Sequence, residues 1–79
     1  MRVVISKVAS RALQRSNKRI LIAQKIEALA NDPDAQPGNV RTLQGRPGFR
    51  LRVQDWRVLF RIEEDILYID EIEPRGSAY

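Results

Sequence analysis

The stretch Phe49-Arg50-Leu51-Arg52-Val53-Gln54-Asp55-Trp56-Arg57-Val58-Leu59-Phe60-Arg61 constrains this chain more than any other. It alternates apolar and polar residues, breaks step at Gln54-Asp55, and alternates again. Two strands joined by a two-residue turn read this way. In that register Val53 pairs with Trp56, Leu51 with Val58 and Phe49 with Phe60, so six apolar side chains share one face. The opposite face carries Arg52 across from Arg57, with Arg50 opposite Leu59 and Arg61 further along. Like charges directly across a strand pair are unfavourable. A sheet that keeps arginines there is suited to an anionic ligand that neutralises them.

The rest of the chain supplies a layer to cover the apolar face. Val3, Val4 and Ile5 suit a short first strand. Ser6 is placed to cap a helix from about Lys7 to Arg15, with Val8, Ala12 and Leu13 turned inward. Ser16-Asn17 restarts a helix in which Ile22, Ile26 and Leu29 recur at four- and three-residue spacing, with Ala23 and Ala30 alongside. Asn31-Asp32-Pro33 ends it. Residues 34–48 hold Pro37-Gly38, Gly45 and Pro47-Gly48 and read as loop. Strands follow at about 49–53 and 56–63. Glu64-Asp65 turns the chain into a last strand at about 66–73, closed by Pro74. In that strand Ile66, Tyr68 and Ile72 alternate onto one face, Leu67 and Ile69 onto the other. A bulge, or a partner covering the second face, would reconcile them. The order β-α-α-β-β-β predicts an α+β fold, with two N-terminal helices packed on one face of a small antiparallel sheet.

Composition narrows the function classes. Seventy-nine residues, 43% hydrophobic and 30% charged, suit a single globular domain over residues 1–79. With no cysteine, neither a disulfide nor a thiolate metal site is available, and with no histidine the usual neutral-pH acid–base group is missing. The sequence calls for no metal and no cofactor. No apolar run approaches the roughly 18 residues of a membrane span, and Met-Arg-Val-Val-Ile-Ser is too short for a signal peptide, which leads to a cytoplasmic expectation. Of fourteen cationic residues eleven are arginine, and the net charge is +4. The cations concentrate in residues 1–30 and 41–61, whereas residues 62–79 hold six acidic residues against Arg75 alone. A basic body beside an acidic final strand suits a polyanion held in a defined groove.

The β-α-α-β-β-β order, Leu43-x-Gly45, the strand Phe49-Arg50-Leu51-Arg52-Val53, the strand from Asp55-Trp56-Arg57 to Arg61-Ile62, and Ile72-x-x-Arg75-x-x-x-Tyr79 together resemble the RelE/ParE superfamily of bacterial type II toxins. The resemblance covers nearly the whole chain and is strongest from Leu43 to Tyr79. It implies a RelE-like fold and a toxin held inactive by a cognate acidic antitoxin, in a toxin–antitoxin hetero-oligomer. RelE-type members cut messenger RNA on the ribosome and so inhibit translation. ParE-type members inhibit DNA gyrase and usually lack the basic and tyrosine set. By resemblance Arg57 is the central sheet arginine, Arg75 the arginine after the last strand and Tyr79 the tyrosine near the C-terminus. These three form the expected catalytic set, with Arg50, Arg52 and Arg61 binding RNA.

The chemistry implied is attack of a ribose 2′-OH on the adjacent phosphate. Arginine suits the phosphorane, through bidentate bonds to its oxygens. Arginine is no general base. A tyrosine, with a pKa of about 10 in isolation, is drawn toward its phenolate by nearby guanidinium groups, which makes Tyr79 the candidate base. No good general acid is apparent. Two other functions compete: a gyrase-poisoning toxin on the same fold, and a non-catalytic basic binding module.

Overall fold

The computed structural model of the chain describes residues 1–75. Its elements run β1 (Arg2–Ile5), α1 (Lys7–Arg15), α2 (Arg19–Asn31), a single 3-10 turn (Pro37–Asn39), β2 (Val40–Thr42), β3 (Phe49–Val53), β4 (Trp56–Glu63) and β5 (Ile66–Pro74). The five strands form one sheet in the order β1-β5-β4-β3-β2. The two helices therefore carry the chain from one edge of the sheet to the other, and the remaining strands return as a meander.

Two expectations need correction here. A strand stands at Val40–Thr42, inside the segment read as loop, pairing Val40 with Leu51, Arg41 with Arg50 and Thr42 with Phe49. Three residues are too few to show an alternation, and the Pro and Gly residues around them dominate the reading. The sheet is also mixed. β1 lies parallel to β5, from Arg2 beside Ile66 to Ile5 beside Ile69, while every other pair is antiparallel. Strand direction leaves no mark on side-chain alternation, so only the path of the helices decides it.

The hairpin has the expected register throughout: Phe49 opposite Phe60, Leu51 opposite Val58, Arg52 opposite Arg57 and Val53 opposite Trp56. Gln54 takes up the reversal at φ 53°. On the covered face Leu51, Val53, Val58 and Phe60 are buried in one cluster with Ala9, Ile22, Ile26, Leu29 and Ala30 of the helices. Phe49 and Phe60 stack with centroids 5.4 Å apart. Glu64 and Asp65 both have positive φ, the pattern of the tight hairpin turn that matches strand twist.

The helices differ from expectation in which alanines and valines they bury. Ser6 caps α1, its hydroxyl accepting from the Ala9 N–H at 3.0 Å. It is Ala9 that is fully buried, whereas Val8 is 64% exposed. α1 lies against β5, and a small side chain at the contact lets helix and strand approach closely. In α2, Ile22, Ile26, Leu29 and Ala30 are buried while Ala23 is exposed. Buried Ser16 joins the two helices, accepting from the Lys18 N–H at 2.9 Å.

The two-faced alternation of β5 is resolved by a bulge. Pairing runs from Val58 opposite Ile72 to Leu59 opposite Glu71, then jumps to Phe60 opposite Ile69. Asp70 is the extra residue. The insertion brings Ile72 onto the face of Leu67 and Ile69, and all three are buried in the core. It leaves Ile66 and Tyr68 on the open face. Ser6 completes the arrangement: its hydroxyl donates to the Asp70 carbonyl at 2.8 Å, and its N–H donates to the Ile69 carbonyl at 3.0 Å. One serine thus caps α1 and satisfies the bulged backbone.

Candidate functional site

The face of the sheet away from the helices carries the charged residues, and the registers lay them out in rows. One row runs Arg41, Arg50, Leu59, Glu71 across β2, β3, β4 and β5. The next runs Arg52, Arg57, Glu73 across β3, β4 and β5. Basic residues thus occupy β2 to β4 and acidic ones β5. This is how a sequence with a basic middle and an acidic last strand becomes a surface with a basic field and an acidic border.

At the hairpin end of this face is a cavity of about 140 Å³ lined by Arg50, Arg52, Gln54, Trp56, Arg57 and Arg75. Arg50, Arg52 and Arg57 come from the hairpin strands, two from β3 and one from β4. Arg75 arrives from beyond β5. Trp56 pairs with Pro74, and the Arg75 N–H donates to the Asp55 carbonyl in the hairpin turn. That backbone bond fixes the exit of β5 beside the turn, which is why an arginine twenty residues from the turn lines the same cavity. Arg50 and Arg57 are half-buried, and Arg52 and Arg75 are exposed. Among the described residues no carboxylate lies within ion-pair reach of Arg50 or Arg52.

Like charges gathered around a small cavity repel one another, and an anion placed between them would relieve that repulsion. Guanidinium groups meet phosphate oxygens through paired N–H donors. Half-buried Trp56 packs against the core and also contributes a wall of the cavity.

The structure thus brings together four of the six expected site residues. Arg61 is elsewhere. Its Nε donates to Asp70 at 2.8 Å, its Nη2 to the same carboxylate at 3.1 Å, and its Nη1 to both oxygens of Glu63 at 2.9 and 3.0 Å. The guanidinium also lies 4.8 Å from the centre of the Tyr68 ring. Its pKa is raised above the ordinary value, first by the hydrogen bond it donates to Asp70 and also by the charges of Asp70 and Glu63. Every arm of Arg61 is engaged by the protein. Tyr79 lies outside the described residues. Sequence reasoning missed Gln54 as a wall of the cavity, and it missed Arg41 because the strand that sets it opposite Arg50 was not read.

Among the described residues no group of acidic side chains is arranged to hold a metal ion, and no helix is long and apolar enough to cross a membrane.

Comparison with known proteins bears on this site. A family model described as the ParE toxin of type II toxin–antitoxin systems, parDE, matches residues 3–79. No curated protein sequence matches the chain. Among solved structures, the archaeal RelE–RelB complex from Pyrococcus horikoshii OT3 contains a chain that superposes with a TM-score of 0.80 at 26% identity, covering 96% of each chain. The toxin–antitoxin complex RelBE2 from Mycobacterium tuberculosis gives 0.66 at 26% identity, over 94% of this chain and 96% of that one. The intact RelBE complex of E. coli gives 0.74 over 96% of each chain at 12% identity, a likeness of fold alone.

Proposed function

The chain belongs to the ParE toxin family of type II toxin–antitoxin systems, and from that premise we propose that it is a ribosome-dependent endoribonuclease that cuts messenger RNA. The observation that carries this reading is the cavity walled by Arg50, Arg52, Arg57 and Arg75. A binding inhibitor has no need to converge four guanidiniums on one small space, and a phosphoryl-transfer site does.

In this mechanism a ribose 2′-oxygen attacks the adjacent phosphorus. The new O–P bond forms as the bond to the 5′-oxygen of the next nucleotide breaks, leaving a 2′,3′-cyclic phosphate and a 5′-OH. Arg57 and Arg75 hold the negative charge that builds on the phosphorane oxygens, positioned in advance by β4 and by the backbone bond from Arg75 to Asp55. Arg50 and Arg52 orient the strand. Tyr79 accepts the 2′-OH proton as phenolate. The leaving oxygen takes its proton from water, since an arginine is a poor donor. The ribosome supplies the bend that brings 2′-OH, phosphorus and leaving oxygen into line.

The partner is an acidic, amphipathic antitoxin, a reading supported by similar chains having been solved as RelE–RelB and RelBE complexes. Its acidic segment covers the arginine field as a disordered chain that folds on binding.

One observation favours a second reading. The matching family model is that of ParE toxins, and ParE-type toxins act on DNA gyrase. A purified translation system and a supercoiling assay separate the two. The nuclease reading predicts cut message and unaffected gyrase. Intact message with inhibited supercoiling would replace it.

A further inference from the structure

The arginine cavity has a second, more open neighbour, and the two share a wall. A hollow of about 470 Å³ is lined by Arg41, Thr42, Leu43, Gln44 and Arg50. Arg50 also lines the first cavity. Arg41 stands directly opposite Arg50 in the β2–β3 register, on the same face. Its Nη1 donates to the carbonyls of Val40 at 3.0 Å and Pro37 at 3.4 Å, which fixes one arm of the side chain at the sheet edge. A guanidinium carries five N–H donors, and those carbonyls occupy one nitrogen. Among the described residues no carboxylate lies within ion-pair reach of Arg41.

The opposite side of the first cavity is different. In register with Arg57 is Glu73, and in register with Leu59 is Glu71. An anionic chain leaving the first cavity toward β5 meets the carboxylates of Glu73 and Glu71, the latter partly offset by an exposed ion pair with Arg46 at 3.6 Å. Leaving toward β2 it meets Arg50 and then Arg41. Arg57 on β4 and Arg41 on β2 stand two strand spacings apart, roughly 10 Å across the sheet, a separation that single-stranded backbone spans within a few nucleotides.

We propose that Arg41, with Thr42 and Gln44, forms a second phosphate subsite for a flanking nucleotide of a single-stranded RNA, so that the bound strand leaves the arginine cavity over β2 and not over β5. This rests on the reading of the cavity as an RNA site. Thr42 and Gln44 supply uncharged hydrogen bonds to phosphate or sugar, and Arg41 supplies the charge.

The test is the salt dependence of binding of purified, antitoxin-free protein to two probes: a dinucleotide with one phosphate and a longer single strand. Each phosphate contact contributes about −0.7 to the slope of log K against log salt. Arg41→Ala is expected to flatten the slope by about 0.7 on the longer strand and to leave dinucleotide binding unchanged. Arg52→Ala is expected to weaken binding of both probes. Arg41→Lys keeps the charge and is expected to keep the slope. Because Arg41 is exposed at a sheet edge, unfolding curves of the variants should coincide with wild type. An unchanged slope for Arg41→Ala beside a response for Arg52→Ala would overturn the subsite and leave the RNA reading standing. Equal losses on both probes would place Arg41 in the first cavity and overturn the separate subsite. No response from either variant would overturn the RNA reading and the subsite with it.

Discussion

Arg57 and Arg61 stand four residues apart on one strand and on one face, and they meet different chemistry. Arg57 lies in register between Arg52 and Glu73 and lines a cavity with three other arginines. Arg61 lies beside Tyr68 and is gripped by Asp70 and Glu63. Part of the difference is made by the bulge. In strict alternation Ile72 would join Tyr68 and Asp70 on the open face, and Glu71 would turn to the core beside Leu67 and Ile69. With the extra residue, the core keeps Leu67, Ile69 and Ile72, and Asp70 stays beside Arg61 as a bidentate acid. An arginine on an open strand face is thus given its role by its neighbours in register more than by its place in a motif. One end of the sheet gathers four arginines around a cavity; the other consumes its charge internally.

Both ends rest on the same buried layer, and the largest expected effect lies there. Phe60, 2% exposed and stacked on Phe49, is buried midway along β4 between the two regions. Phe60→Ala should lower the free energy of unfolding by roughly 3–5 kcal/mol, read from urea denaturation. A loss under about 1 kcal/mol would mean that the helices do not cover this face, and the comparison of the two ends would lose its frame. Gly48 is next. It enters β3 at φ 119°, and a Cβ there would stand 2.8 Å from the Phe60 carbonyl oxygen and 3.2 Å from Arg61 Cγ. Gly48→Ala should cost about 1–3 kcal/mol, the range for a residue held in sparsely populated backbone. A neutral result would show that β3 can shift against the Arg61 end.

The smallest effects sharpen the contrast most. Binding of single-stranded RNA should weaken with salt with a log–log slope of roughly −2 to −3, for about three to four phosphates. Arg61→Ala should leave that slope unchanged, because its guanidinium is already neutralised. Replacing both of its acids, Asp70→Asn with Glu63→Gln, should release Arg61 and steepen the slope by about 0.7. If Arg61→Ala flattens the slope as Arg52→Ala does, the two ends are not distinct.

Much of this was legible beforehand, for identifiable reasons. Alternation on both sides of a two-residue break has one simple solution, so the hairpin and its register could be read from residues 49–61. Ser6 marked the start of α1 because a hydroxyl followed by an amphipathic run has a local physical meaning. The bulge could only be posed as an alternative, since whether β5 bulges or waits for a partner depends on what its faces meet. Ala9 rather than Val8 faces the sheet because the contact with β5 selects a small residue, which helical periodicity does not specify. The set Arg50, Arg52, Arg57 and Arg75 converges as the motif implied, but the backbone bond from Arg75 to Asp55 that holds it is a tertiary fact. Arg61 was grouped with the RNA-binding arginines on strand position alone, and Arg41 was missed because β2 is too short to announce itself. Tyr79 lies outside the described residues, so its role stays a proposal.

The central claim is that the arginine cavity works on a scissile phosphate, and cleavage of message in a purified translation system tests it most directly. Wild-type protein should cut. Arg57→Ala should cut at least ~10²-fold more slowly, the loss expected on removing one preorganised charge donor, or about 2.7 kcal/mol of barrier. Tyr79→Phe, which removes only the hydroxyl, should lose a similar factor, and Arg61→Ala should cut as wild type does. Message left intact by the wild-type protein, or cut equally fast by Arg57→Ala, would contradict the account.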